Sequence, residues 1–173
     1  TEVVEWVDHP EPGKKVMRGK FVYKAKCDAQ GHLSIYKARC VLCGNMQIPG
    51  VDYAQTFAPT ARATTIRLLL ARAAIKKLHL AQYDVCTAFL SAPMDREQYM
   101  YPPPGFPQKP GKVLRCLRAL YGNCQAPRLF WIELKQHLCA LGFVSSDIDP
   151  CLWVRDAGGT FTMMPIVVDD MTV

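Results

Sequence analysis

Near the start of the chain, apolar and polar residues alternate in a pattern typical of a β-hairpin. Residues 21–26 alternate as a strand would, and residues 33–36 resume the same alternation. Between them, residues 28–31 (Asp-Ala-Gln-Gly) supply turn chemistry. This pattern predicts two antiparallel strands joined by a tight turn.

Two later stretches have the apolar spacing of amphipathic helices. The first is predicted over Arg67–Lys77, with Thr64 and Thr65 as its N-terminal cap. The second is predicted to begin at Pro127, which suits a first helical turn, and to end at Gly142. The apolar stripes are Ile66, Leu69, Leu70 and Ala73 in the first helix, and Phe130, Leu134, Leu138 and Leu141 in the second.

Strand-like segments lie between and after these helices. Gln82–Val85 is expected to be a short buried strand, and Phe161–Val168 a longer one that runs into two aspartates. Pro102–Pro107 is expected to be an exposed connector, because prolines lack an amide donor and fix φ. The order of hairpin, helix, strand, connector, helix and strand predicts an α+β fold.

Composition limits the class of protein. The chain has 173 residues, of which 50% are hydrophobic and 21% charged, values that indicate a globular domain rather than a disordered or fibrous chain. No apolar run approaches the roughly 18 residues that a bilayer span needs, so no membrane partner is expected. The chain lacks an initial Met and stops within a strand-like run, so we expect a piece of a longer protein.

Charge is unevenly distributed along the chain. The 21 basic and 15 acidic residues give a net charge of +6. Residues 61–77 and 109–128 contain arginines and lysines but no acid, whereas several aspartates lie towards the C-terminus. Either the basic runs neutralise a polyphosphate ligand or they are solvated helix faces, and charge alone leaves both interpretations open.

Eight cysteines raise the question of a zinc site or a disulfide framework. Only Cys40 and Cys43 have ligand spacing, and no second pair follows at a suitable distance. The other six are scattered through apolar patterns, as expected of reduced cysteines that fill a core. We therefore expect reduced thiols and an intracellular protein that is not secreted.

Three aspartates are the strongest candidates for chemistry. Asp169 and Asp170 directly follow an apolar strand, and Asp84 lies within another predicted strand. Adjacent carboxylates repel each other unless a cation is bound, and Mg²⁺ prefers such oxygen ligands. Carboxylates that meet on neighbouring strands are what two-metal phosphoryl or nucleotidyl transfer requires. From spacing alone, a polar hairpin turn explains Asp169 and Asp170 equally well.

A series of short motifs resembles copia-type LTR-retrotransposon reverse transcriptases over nearly the whole chain. Many blocks occur in the family's order, which makes the resemblance more specific than any single motif. The blocks are Tyr36-Lys37-Ala38-Arg39, Gly50-Val51-Asp52-Tyr53, Thr56-Phe57-Ala58-Pro59, Thr64-Thr65-Ile66-Arg67, Asp84-Val85-Cys86-Thr87-Ala88-Phe89-Leu90, Leu120-Tyr121-Gly122, Gln125-Ala126-Pro127-Arg128, Asp149-Pro150-Cys151 and Val168-Asp169-Asp170.

The resemblance implies part of a right-hand polymerase, with an antiparallel palm sheet and helices packed on one face. Residues 1–173 would form a partial reverse transcriptase domain. Fingers-like parts are expected at about 1–80 and 100–128, and palm-like parts at about 81–99 and 129–173. The thumb and the RNase H domain would lie elsewhere in the Pol polyprotein.

The same resemblance implies roles for individual residues. Asp84, Asp169 and Asp170 would be catalytic, and Asp84, Asp169 and the carbonyl of Val85 would hold two Mg²⁺ ions, with Mn²⁺ as an alternative. Phe89 would lie beneath the incoming sugar and favour deoxynucleotides. The nucleotide-binding residues would be Lys37, Arg39, Phe89, Tyr121, Gly122 and Gln125.

The implied activity is RNA-directed DNA polymerisation. The partners would be deoxynucleoside triphosphates, an RNA or DNA template–primer duplex and the rest of the Pol polyprotein, within a cytoplasmic retrotransposon particle. Departures from the family pattern leave a non-catalytic remnant as an alternative: Asn123 and Cys124 replace a Leu-Lys pair, and Val167 replaces a tyrosine. A small metal-dependent nuclease is a further alternative, although the four histidines lie outside the motifs that contain the aspartates.

Overall fold

The computed structural model describes residues 2–172 of the chain. Within that part, the helices are α1 (Ala63–Lys76), α2 (Ala88–Ser91), α3 (Ala126–Ala140) and a 3-10 helix at Gly44–Met46. The strands are β1 (Val4–Asp8), β2 (Val16–Cys27), β3 (Leu33–Leu42), β4 (Gln82–Asp84), β5 (Tyr99–Tyr101), β6 (Lys112–Cys116), β7 (Val144–Ser145), β8 (Leu152–Ala157), β9 (Thr160–Val167) and β10 (Asp170–Thr172).

The chain divides into two compact units, each built around its own five-stranded sheet. The first unit comprises Thr1–Thr56 and Phe89–Leu129, and the second comprises Phe57–Ala88 and Phe130–Val173. The predicted α+β class is confirmed. These boundaries differ from the predicted fingers and palm ranges, and that functional division stays a prediction.

The sheet of the first unit has the strand order β1-β6-β5-β2-β3, in which only β2 and β5 run parallel. β5 pairs with β2 at Val16–Arg18, so the rest of β2 is paired with β3 alone and forms a two-stranded ribbon. The predicted hairpin is therefore confirmed, with longer strands than its alternation indicated. The buried core of the first unit consists of Met17, Leu42, Met100, Leu114, Cys116 and Leu120.

The sheet of the second unit is antiparallel throughout, with the order β4-β10-β9-β8-β7. Apolar residues of α3 pack on it, because the helical stripe that includes Trp131, Leu134 and Leu138 faces the buried side of the sheet. The sheet contributes Trp153, Met164 and Ile166 to the same core. This arrangement places β4, β9 and β10 side by side.

Helix α1 begins earlier than predicted, and its predicted cap is wrong. Thr64 and Thr65 lie inside the first turn, and the N-cap position is Arg62, which makes no capping side-chain bond. The helix ends at Lys76, and the C-cap residue Lys77 adopts the left-handed conformation with φ 52°. Leu78 then donates its amide to the Ala73 carbonyl at 2.9 Å, which closes the last turn.

Several expectations for the connecting segments need correction. Gln82–Asp84 is a strand, but it is exposed rather than buried. The proline-rich connector is irregular as predicted, yet Pro103 is buried and the Phe106 ring lies 6.2 Å from the Trp6 ring. Helix α3 begins one residue before Pro127, and Gly142, with φ 82°, follows its end as predicted.

The eight cysteines are free thiols. Burial, with a further contribution from Cys40, raises the pKa of Cys116 to about 12, and burial, with a contribution from Asp149, raises the pKa of Cys151 to about 11. These two fill cores as expected, but Cys27, Cys86 and Cys139 are exposed, so the core-filling interpretation is wrong for them.

No helix within residues 2–172 has the length and apolar character needed to cross a lipid bilayer.

Candidate active site

The β9–β10 hairpin of the second unit presents Asp169 and Asp170. Val167 pairs with Asp170, so Val168 and Asp169 form a two-residue loop. Val168 has φ 58°, a left-handed conformation that is strained for a β-branched residue and is usually given to glycine at this position of a hairpin. A tight turn thus bends the chain at the aspartates, as the sequence required for both to reach one region.

The neighbouring strand β4 presents Asp84 at the same end of the sheet. Asp84 is the direct partner of Asp170 in the β4–β10 pair, and opposed residues of an antiparallel pair point to the same face. The Val85 amide donates a hydrogen bond of 3.1 Å to the Asp169 carbonyl. The structure therefore brings Asp84, Val85, Asp169 and Asp170 together at one sheet end.

The donor set at this sheet end fits a hard divalent cation. Asp84 and Asp170 are exposed and Asp169 is half-buried, so their oxygens are accessible. Carboxylate and carbonyl oxygens are the ligands that Mg²⁺ prefers. Among residues 2–172, however, no three His, Cys, Asp or Glu side chains converge as a ready metal cage. Ion binding here requires the aspartate side chains to reorient.

Another carboxylate of the second unit, Asp149, has a structural role that the sequence did not reveal. It is buried, and its Oδ2 accepts bonds from the Arg62 amide at 2.9 Å and the Thr65 hydroxyl at 2.6 Å. Its Oδ1 accepts the Cys151 amide at 3.0 Å. Asp149 therefore caps the N-terminus of α1 from a distant part of the chain, where a negative charge also complements the helix dipole.

These contacts determine how Asp149 ionises. Burial alone would raise the pKa of its carboxyl. The hydrogen bonds from Thr65, Arg62 and Cys151, together with the charge of Arg62, outweigh burial and hold that pKa below its ordinary value of 3.8. The capping carboxylate is therefore ionised at neutral pH.

In the first unit, three of the predicted nucleotide-binding residues contact one another. The Arg39 guanidinium lies over the Tyr121 ring, 5.5 Å from its centroid. The Phe89 ring packs against the Tyr121 ring, with the two centroids 5.0 Å apart and an interplanar angle of 59°. The guanidinium–aromatic contact fixes the direction of the Arg39 side chain, which otherwise has many rotamers.

Lys37 lies on the same strand face as Arg39, two residues earlier on β3. Its direct partner on β2 is Lys24, so two ammonium groups are opposed. Like charges in this position are destabilising, and a bound anion would relieve the repulsion. The register therefore agrees with an anion-binding face but does not test the role predicted for Lys37.

Gly122 is required by packing within the protein. It has φ 92°, and a Cβ at this position would lie 2.0 Å from the Leu42 carbonyl oxygen. The preceding residue, Tyr121, accepts the Leu42 amide at 2.8 Å, which ties the loop to the end of β3. The close approach predicted for Gly122 thus occurs between two backbone segments of the first unit, and its role towards a nucleotide stays a prediction.

Gln125 is 1% exposed and bonded internally. Its Oε1 accepts from Gln47 at 2.9 Å, and its Nε2 donates to the Asp52 carbonyl at 3.2 Å. Asn123 joins the same buried region by donating to Gln98 and by accepting the Leu120 amide at 2.9 Å. Gln125 therefore supports the loop that carries Tyr121 and Gly122, and direct nucleotide contact by its side chain stays a prediction.

The buried amides Gln47, Gln98 and Asn123 were not identified as important from the sequence. No local pattern distinguishes them, because their side-chain amide partners lie 25 to 78 residues away in the chain. Asn123 was noted only as a departure from the family pattern. Its side chain instead closes the loop between Leu120 and Cys124, where buried polar groups need partners.

Comparison with known proteins establishes the family. The family model described as reverse transcriptase (RNA-dependent DNA polymerase) matches residues 1–173. The chain belongs to this family, and the predicted membership is confirmed. No solved structure matches the chain significantly.

The curated relatives are retrotransposon polyproteins. The chain is 38% identical over 169 residues to the retrovirus-related Pol polyprotein from transposon RE2 of Arabidopsis thaliana. It is also 38% identical over 167 residues to that from transposon RE1 of the same plant, and 35% identical over 164 residues to that from transposon TNT 1-94 of Nicotiana tabacum. These alignments cover 96%, 95% and 93% of this chain but only 12%, 11% and 12% of the relatives. The chain thus spans about one-eighth of their length.

Proposed function

We propose that this chain is the catalytic part of an RNA-directed DNA polymerase that adds deoxynucleotides to a primer 3′-hydroxyl. The observation that carries the proposal is the direct opposition of Asp84 and Asp170, beside a strained hairpin loop that presents Asp169. Opposed carboxylates weaken a sheet, and a residue pair chosen only for folding would avoid them. A bound divalent cation gives them a favourable role.

The aspartates act by holding and orienting divalent ions. Asp84, Asp169 and the Val85 carbonyl hold divalent ions, and Asp170 supports them across the strand pair. Mg²⁺ bound there, or Mn²⁺ in its place, would lower the pKa of the attacking hydroxyl and neutralise charge on the leaving pyrophosphate. The strained Val168 loop keeps Asp169 at the bend of the hairpin rather than on a strand face.

The residues of the first unit bind the nucleotide. Arg39, held in place by its stack on Tyr121, and Lys37, on the same strand face, neutralise the triphosphate. Phe89 packs on Tyr121 and limits space at the sugar, which favours deoxynucleotides. Gly122 and Gln125 keep the Tyr121 loop in place, and the direct nucleotide contact predicted for Gln125 is kept as a proposal.

The wider assignments are also proposals. Fingers-like and palm-like functions are assigned to about 1–80 and 100–128, and to about 81–99 and 129–173. A template–primer duplex binds mainly through backbone phosphates, which makes binding steeply salt-dependent. The thumb and RNase H functions belong to other parts of a Pol polyprotein in a cytoplasmic particle.

A non-catalytic remnant is the second candidate, and one specific observation favours it. The acidic side chains within residues 2–172 do not converge as a ready metal site. Val167 and the Asn123-Cys124 pair also depart from the family pattern. Both features would follow if the element no longer needed polymerase activity.

Primer extension separates the two candidates. Residues 1–173 are placed in the transposon RE1 Pol polyprotein in exchange for its matching segment, and extension of oligo(dT) on poly(rA) is measured with dTTP and Mg²⁺. Active polymerase predicts extension that is lost in Asp169→Asn and retained in Asp147→Asn, which makes the same change at an exposed loop of the same unit. Background incorporation alone, equal in all three proteins, would support the remnant.

A further inference from the structure

Helix α1 carries a second apolar stripe on the side that does not face the sheet. Its buried side, which includes Ala73, packs against β9. On the other side, Leu68, Ala71 and Ile75 recur at helical spacing. Leu68 is 70% exposed and Ile75 is 78% exposed. An ordinary surface helix has polar residues at these positions, so this stripe calls for a separate explanation.

Positively charged side chains border this stripe on both sides. Arg67 lies on one side of it, Arg72 and Lys76 lie on the other, and all three are exposed. Helix α1 contains no Asp or Glu. The surface is therefore an apolar strip between two positive borders, which is complementary to an apolar strip between two negative borders.

This charge pattern limits the kinds of partner that can bind the stripe. Two copies of α1 that met through the same face would oppose positive borders, which is unfavourable. Nucleic acid phosphates would suit the arginines but would leave two large apolar side chains in contact with charge and water. An amphipathic helix with acidic borders satisfies both the apolar strip and its cationic edges.

We propose that the exposed face of α1, formed by Leu68, Ala71 and Ile75 between Arg67 and Arg72, is a docking surface for an acidic amphipathic helix of another protein segment. The contact is made by apolar residues at i, i+3, i+4 and i+7 of that helix, and its glutamates or aspartates pair with the arginines. It is independent of polymerase chemistry, since no residue proposed for catalysis lies on this face.

The test uses two synthetic helical peptides with the same leucine stripe, one bordered by glutamates and one by lysines. Binding to the full 173-residue chain is measured by fluorescence anisotropy at low and moderate salt. We expect the glutamate peptide to bind and the lysine peptide not to bind. Leu68→Gln with Ile75→Gln removes the apolar contact while keeping good helix formers, and should weaken binding about tenfold or more.

A matched variant controls for nonspecific hydrophobic binding. Leu141→Gln with Ile148→Gln makes the same two changes at side chains that are 60% and 79% exposed elsewhere in the second unit, and should leave binding unchanged. Arg67→Glu with Arg72→Glu should reverse the preference, so that the lysine peptide binds instead. Circular dichroism of each variant establishes that the helix content is retained.

Three results would overturn the proposal. Equal losses in the Leu68/Ile75 and Leu141/Ile148 variants would mean unspecific apolar binding. Concentration-dependent dimerisation in sedimentation velocity that the Leu68/Ile75 variant abolishes would make a second copy the occupant. Displacement of the glutamate peptide by single-stranded RNA, with RNA binding lost in the same variant, would make nucleic acid the occupant.

Discussion

Asp84 and Asp170 are direct cross-strand partners at the end of the second sheet, where β4 pairs with β10. Such partners have Cβ atoms about 5 Å apart, so two negative charges face each other at close range. The remaining pairs of this short ladder, Tyr83 with Met171 and Gln82 with Thr172, contain no charged residue. The repulsion is thus confined to the position where the proposed chemistry takes place.

Neutralising either member of this pair should strengthen the fold in the absence of divalent ions. We expect Asp84→Asn and Asp170→Asn each to raise the free energy of unfolding by up to about 1 kcal/mol in EDTA, because the opposed charges are removed. Urea denaturation of the isolated chain measures this change. Asp147→Asn, at an exposed loop, should have no effect, and a loss of stability in either test variant would contradict the opposition of charges.

The strain at Val168 predicts a stability change of unusual sign. Val168→Gly should stabilise the chain by up to about 1 kcal/mol, since glycine adopts φ 58° without the clash of a branched side chain. Val167→Gly is the control, because Val167 has the same 37% exposure but lies on β9. It should destabilise by about 1 kcal/mol, and similar losses in both variants would mean that the loop is unstrained.

Loss of the Asp149 cap should lower the free energy of unfolding. Asp149→Ala leaves the Arg62 and Cys151 amides and the Thr65 hydroxyl without their acceptor. We expect about 2–3 kcal/mol of destabilisation by urea denaturation. Asp147→Ala, two residues earlier, should change stability little, and a result near zero for Asp149→Ala would show that other groups cap α1.

The same carboxylate predicts a pH dependence. Its pKa is lower in the folded chain than its ordinary value of 3.8, so its contribution to stability is complete above pH 3.8. That contribution is lost as the pH falls below 3.8 through the folded-state pKa. Unfolding free energies of wild type and Asp149→Asn should therefore converge as acid is added, and parallel curves across this range would contradict the assignment.

Gly122 should tolerate no side chain. Gly122→Ala places a Cβ 2.0 Å from the Leu42 carbonyl oxygen at φ 92°, and we expect about 3 kcal/mol or more of destabilisation. Gly111→Ala separates strain from clash, because Gly111 has φ 72° and no atom within 4 Å of the added Cβ. It should cost only about 1 kcal/mol. Equal costs, measured by thermal unfolding, would mean that the loop moves away from β3.

Arg39 offers a test of nucleotide binding. In the chimaeric polyprotein, Arg39→Gln should raise the KM for dTTP about tenfold, because one charged hydrogen-bond donor to the triphosphate is lost. Arg115→Gln removes a half-buried arginine of the same unit that pairs with Glu5 at 3.3 Å, and should leave KM unchanged. An Arg39→Gln enzyme with normal KM would remove Arg39 from the proposed nucleotide site.

The sequence predicted those parts of the fold in which the local pattern matches the final environment. Helix α3 has an apolar stripe because one side packs on Trp153 and Ile166. The β2–β3 hairpin was predicted from its turn residues and strand pattern, although both of its faces are exposed over most of its length. The sequence patterns did not predict β1, β5, β6, β7 or β8, of which β5 and β7 are only two or three residues long.

The roles of residues that depend on distant partners could not be predicted from local sequence patterns. The family motifs located Asp84 and Asp170, but the register that opposes them follows from the pairing of strands whose paired residues are 86 positions apart in the chain. Thr65 was expected to cap α1 and instead donates to Asp149, which lies 84 residues further along the chain. The internal partner Gln47 of Gln125 was likewise not predictable from its motif, and the nucleotide contact that the motif implies stays a prediction.

The most direct test of the carboxylate site is an electron paramagnetic resonance titration of the 173-residue chain with Mn²⁺, a spectroscopic substitute for Mg²⁺. The proposed site predicts bound Mn²⁺ in wild type and in Asp147→Asn, with binding lost in Asp84→Asn and in Asp169→Asn. Mn²⁺ binding that is equal in all four proteins, or absent from wild type, would contradict a divalent-ion site formed by these aspartates.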